Sequence, residues 1–152
     1  MSKEYISNPP VPPLGPSPST KPATIMPTPS TTPIQTIQTW EIDRTLSGMR
    51  IVWANGQHAE VGLCVDGPTK QFEFGRQERI QIMYVYVGEQ VDGFWFVTSH
   101  QKSFFPGKSS TRYEMVELGN GVLVGFEARV KLDQQGREVV LEALGANFRK
   151  GN

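Results

Sequence analysis

The sequence predicts an all-β chain of antiparallel hairpins. Alternation is the first observation: Phe126, Ala128, Val130 and Leu132 recur every second residue with Glu127, Arg129 and Lys131 between them, giving one apolar and one charged face. Turn chemistry is the second. Asp133-Gln-Gln-Gly136 follows that ribbon, aspartate bonds its own backbone and glycine accepts positive φ, and the apolar run Val139-Val-Leu-Glu-Ala-Leu-Gly145 then returns. Third, no window holds a sustained helical spacing, so the final hairpin needs further sheets to pack against.

Taken in order, residues 1–33 read differently from the rest. Ten of the 12 prolines lie there, and Tyr5 is the only aromatic residue before Trp40. So little apolar burial does not offset the entropy of ordering, and a disordered, extended Pro/Ser/Thr-rich tail is expected. Pro9-Pro-Val-Pro-Pro13-Leu-Gly-Pro16 favours polyproline II, which suits a stiff spacer or an SH3- or WW-type groove. From Ile34 the chain turns apolar at Ile34, Ile37, Trp40 and Ile42. Met49, Ile51 and Trp53 share a face, Asn55-Gly56 marks a hairpin turn, and Val61-Gly-Leu-Cys-Val65 is the expected return strand. Asp66-Gly-Pro68 breaks it.

Gln71–Phe74 is a short strand, 75–79 a polar break, and Ile80-Gln-Ile-Met-Tyr-Val-Tyr-Val87 is rich in β-branched and aromatic residues that suit a pleated surface. Tyr84 and Tyr86 lie in phase with Ile80 and Ile82, so core or inter-sheet packing is expected of them, and Trp95, in phase with Val91 and Val97, is expected to pack as well. Residues 88–90 turn the chain into Val91–Thr98, residues 99–107 form a loop, and Thr111–Val116 and the final hairpin bring the count to about ten to twelve short strands.

Composition excludes several function classes. Lysine plus arginine and aspartate plus glutamate are both 15, and the basic residues are scattered among acidic ones, against a nucleic-acid binder. No apolar run approaches the roughly 20 residues of a spanning helix. No secretory signal is readable, and the single Cys64 excludes an intramolecular disulfide or a multi-cysteine zinc site. A cytosolic or non-classically exported protein is the expectation. His58 and His100 lack a neighbouring nucleophile motif, no phosphate-cradling glycine loop occurs, and Cys64 reads as a buried small hydrophobe. Neither catalysis nor a cofactor or metal is expected.

Between Ile34 and Phe148 the residues resemble the jacalin-like lectin domain. Leu46-Ser-Gly-Met-Arg-Ile-Val-Trp53 with Asn55-Gly56 looks like the family's Ile-Asp-Gly-Ile strand and glycine turn. Glu78-Arg-Ile80 with Tyr84–Gly88 and Phe94–Thr98 looks like its Gly-Glu-x-Ile strand and the strand ending in Phe-x-Thr. Val124-Gly-Phe126 with Leu141-Glu-Ala-Leu-Gly145 resembles Val-Gly-Phe and Leu-Asp-Ala-Ile-Gly. The resemblance implies a β-prism over residues 34–152, three Greek-key sheets of four strands around one core, with sugar held by loops at one end.

In such lectins a carboxylate accepts bonds from adjacent sugar hydroxyls while backbone amides donate others. The family carboxylate and the glycine four residues before it correspond to Glu142 and Glu138; Glu142 is one methylene longer, and Glu138 stands where a side chain is normally absent. The candidate sugar site is therefore Glu138, Val139, Val140 and Glu142 with the turn of Gly88, Glu89 and Gln90. A solvated edge-strand carboxylate is the competing reading of Glu142. The implied partners are mono- or oligosaccharides or glycoprotein glycans, with a homo-oligomer allowed. The alternative is a β-prism protein-interaction scaffold that has lost sugar binding, its tail serving as tether or ligand.

Overall fold

The computed structural model describes residues 4–13, 15 and 17–151. Twelve strands form among them: β1 (Tyr5–Ser7), β2 (Thr20–Ile25), β3 (Ile34–Ile42), β4 (Thr45–Trp53), β5 (His58–Gly62), β6 (Lys70–Glu73), β7 (Ile80–Val87), β8 (Val91–Thr98), β9 (Ser103–Phe104), β10 (Tyr113–Met115), β11 (Leu123–Leu132) and β12 (Glu138–Arg149). They make three four-stranded antiparallel sheets ordered β1-β12-β11-β2, β10-β7-β8-β9 and β5-β4-β3-β6. In each sheet one hairpin occupies the centre and two shorter strands the edges. This is the three-walled β-prism.

The inner faces meet in one core. Trp53, Phe94, Phe96, Phe126, Phe148, Ile37 and Leu144 are fully buried there. The alternating ribbon behaves as its pattern requires, with Phe126, Ala128 and Val130 inside. One buried polar tie joins two walls: the Trp53 indole Nε1–H donates to the Val124 carbonyl at 2.7 Å. Gly56 holds a φ of +91° at the tip of the β4–β5 hairpin, and Gly136 a φ of +78° at the last one, where Asp133 Oδ1 accepts from the Gln135 and Arg137 amides.

Several expectations need correction. Within the stretch expected to be a tail, the described residues supply β1 and β2, the two edge strands of the first sheet, and Ile25 is buried. Proline in the β2 sequence Thr-Lys-Pro-Ala-Thr-Ile disguises a strand, yet an edge strand tolerates a residue that cannot donate to an inner ladder. The proline run is also partly occupied: Val11 exchanges both backbone hydrogen bonds with Leu144 at 3.0 Å, and Pro12 is buried. Leu14 and Pro16 of that run lie outside the described residues.

Tyr84, Tyr86 and Trp95 face outward. A bulge between Ile80 and Ile82 shifts the phase of β7, so Met83, Val85 and Val87 point inward instead. The displaced rings gather on the outer face, Tyr84 lying 5.3 Å from Trp95 and 4.6 Å from Tyr113 between centroids. The return strand after Asn55-Gly56 ends at Gly62, whose φ of +79° bends the chain before Leu63. The 99–107 loop contains β9.

Candidate functional site

Two sets of hydrogen bonds orient the strands. At one pole the Ile80 amide donates to Gly121 O at 2.9 Å and the Asn120 amide to Arg149 O at 3.0 Å, so β7 begins where β12 ends. Further along, Val11 pairs with Leu144, and Val87 N donates to Arg112 O. The two strands therefore run in opposite directions, and the Gly88 turn and the start of β12 share the other pole, called here the hairpin pole. All seven sequence-predicted site residues lie there.

Their local roles differ. In β11–β12 the partners of Arg129 and Val130 are Ala143 and Leu141, so Glu142 is the extra residue of a β-bulge. Its Oε1 is buried with no hydrogen-bond partner among the described residues. A second irregularity skips Val139, between the pairs Lys131–Val140 and Leu132–Glu138.

Glu138 is committed to the framework. Its Oε1 accepts from the Gly62 amide at 2.7 Å and its Oε2 pairs with Lys21 Nζ at 2.9 Å, linking β12 to β5 and β2. Glu41 does the same between the other walls, accepting from the Gly107 amide at 3.0 Å and from Lys70 Nζ at 3.1 Å. In the β7–β8 turn the Gly88 amide donates to Gln90 O at 2.9 Å, and a Cβ on Gly88 would lie 2.6 Å from Asp92 Oδ2. Glu89 is exposed and Gln90 half-buried. No hydrogen bond among the described residues joins this turn to Glu138–Glu142; the fold brings the two to one pole without linking them.

Asp92 is a residue the sequence reading missed. It is the bulged residue of its own hairpin, skipped between Tyr86–Gly93 and Val87–Val91. Ser47 is skipped likewise between Trp40–Gly48 and Glu41–Leu46. The signal was an internal repeat: Leu46-Ser47-Gly48, Val91-Asp92-Gly93 and Leu141-Glu142-Ala143 each combine an apolar residue, a polar bulge and a small residue within the first six residues of a returning strand. The small residue follows from close approach, since a Cβ on Gly48 would lie 2.5 Å from Leu63 O and one on Gly93 2.5 Å from Pro106 O.

Cys64, Glu78 and the two histidines lie apart from this cluster of predicted residues or are engaged within the framework. Cys64 is half-buried, and burial, followed by the neighbouring Glu60 and Glu138 carboxylates, pushes its thiol up to about 11. Glu78 sits at the opposite pole. Burial pushes its carboxyl up, but bonds from the Gly75 amide and the Thr98 hydroxyl, with nearby His100 and Lys102, outweigh that and leave it below the usual carboxylate value. His58 and His100 are both exposed, His100 Nδ1 lying 3.6 Å from Glu78 Oε1. Among the described residues no three His, Cys, Asp or Glu side chains are grouped to hold a metal ion.

No protein-family model matches the sequence, and no curated protein matches it. Solved structures do. A lectin described as the prostate-specific WGA16 glycoprotein superposes with a TM-score of 0.71 at 12% identity, covering 91% of this chain and 97% of that one. Artocarpin, solved with mannotriose, gives a TM-score of 0.65 at 17% identity over 95% of this chain and 97% of its own. A lamprey immune protein gives 0.68 at 18% identity over 87% of this chain. The chain spans 45% of the length of that lamprey protein. At these identities the likeness establishes the jacalin-like β-prism lectin fold, as the residue resemblance implied.

Proposed function

We propose that the chain is a non-catalytic carbohydrate-binding module whose sugar contacts lie at the hairpin pole around Glu142. One observation carries the reading: Glu142 is held on a bulge with a desolvated carboxylate oxygen that no described residue satisfies. Such an acceptor is costly when unpaired and is suited to receive sugar hydroxyl donors. The fold adds support, since artocarpin with the same architecture was solved with mannotriose. Glu138, both oxygens engaged, orients the rim, while Val139, Val140 and the Gly88–Gln90 turn, with Asp92 beside it, border the contact. The class of partner is a neutral oligosaccharide or glycoprotein glycan.

A glycan array on the folded chain, followed by titration of the best ligand or of mannotriose, tests this. Binding is expected, and Glu142→Gln should weaken it at least about tenfold, the loss of one charge-assisted bond. Its melting temperature should not fall, because the substitution removes an unsatisfied carboxylate. A folded protein that ignores every glycan overturns the proposal.

The second reading, a protein-interaction scaffold, draws on the outer face of the middle sheet, where Tyr113 and Met115 are 50% and 66% exposed beside Tyr84 and Trp95. Retention of a protein partner that excess glycan does not compete away, lost in Tyr113→Ser, would favour it.

A further inference from the structure

We propose that a cavity at the pole opposite Glu142 binds an amphipathic carboxylate. It measures about 460 Å³, within the range of small-molecule sites, and lies where ends of all three sheets splay apart. Ile34, Phe74, Val122 and Leu123 give it an apolar lining, and the turn between β6 and β7 forms one side. Its charged lining residues are Arg76, Arg79, Arg149 and Glu78.

The balance of these charges selects the ligand. Glu78 is spent within the turn, accepting from the Gly75 amide at 2.6 Å and from the Thr98 hydroxyl. Arg149 gives Nε and Nη2 to the Thr31 carbonyl at 3.3 and 2.7 Å, and Arg79 gives Nη1 to Asn120 O at 3.2 Å. Both acceptors are neutral backbone carbonyls, so neither guanidinium charge is neutralised there. Arg76 makes no hydrogen bond or ion pair with any described residue. Beside Arg79 and Arg149, the Asn120 side-chain amide is also buried without an acceptor. Three guanidiniums against the single Glu78 carboxylate leave the lining with an excess of positive charge over an apolar floor, which suits an anion with an apolar body, and the guanidinium fork matches a carboxylate. The chain has zero formal net charge, so the attraction is local.

The test is an amide chemical-shift titration of the full chain with sodium octanoate. Saturable shifts confined to residues 33–35, 74–79 and 122–123 are expected, unchanged by saturating mannotriose, which makes the result independent of the sugar reading. Octanol, with no charge, should bind at least about fivefold more weakly. Arg76→Glu should weaken octanoate about tenfold with the spectrum otherwise retained, because Arg76 anchors nothing. Raising salt from about 0.05 M to about 0.5 M should weaken octanoate severalfold in the unmodified chain. Shifts absent from this pole, equal affinity for octanol, or indifference to both Arg76→Glu and salt would overturn the proposal.

Discussion

The Gly62 amide donates to the Glu138 carboxylate at 2.7 Å, and this bond fixes the end of β5 against the start of β12. A residue chosen from the sequence as a sugar contact is thereby a clamp between two walls, with Lys21 of β2 on its other oxygen. Glu138→Ala should cost about 1–2 kcal/mol, the worth of a bond to a partly exposed charged group. Denaturant titration reads this, and a loss below about 0.3 kcal/mol would mean the clamp is idle.

Deleting residues 1–27 should destabilise the prism by at least about 2 kcal/mol, since Ile25 leaves the core and β11 and β12 lose their outer partners. The bared edges should also aggregate. A truncated chain with unchanged melting temperature and monodisperse scattering would contradict the edge-strand assignment.

Glu78 gives stability a pH signature. Its carboxyl lies below the ordinary 4.5 in the folded chain, so its contribution is complete above that value and is lost as pH falls through the folded pKa. The stability difference between the parent and Glu78→Gln, constant near neutrality, should therefore shrink in increasingly acid buffer. A difference that grows on acidification would reverse the sign.

Cys64 should resist alkylation. With its thiol raised to about 11, the thiolate fraction near pH 8 is on the order of a thousandth, so iodoacetamide should label the folded chain far more slowly than the urea-unfolded one. Equal rates would place the thiol in solvent.

The sequence by itself determined the strands whose side chains announce their faces. Phe126, Ala128 and Val130, or Met49, Ile51 and Trp53, alternate because one side of each ribbon is core, and Asn55-Gly56 and Asp133–Gly136 mark turns because few residues accept those backbone angles. Tertiary structure decided what periodicity does not encode. Bulges at Gln81, Asp92 and Glu142 change phase by one residue, sending Tyr84 and Tyr86 outward and setting Glu142 on the rim. Thr20–Ile25 becomes a strand only because β11 offers a ladder to pair with, since its own residues contribute one buried side chain, Ile25. Glu138 and Gly62 lie 76 positions apart, and only closure of the three walls brings carboxylate and amide within reach of each other.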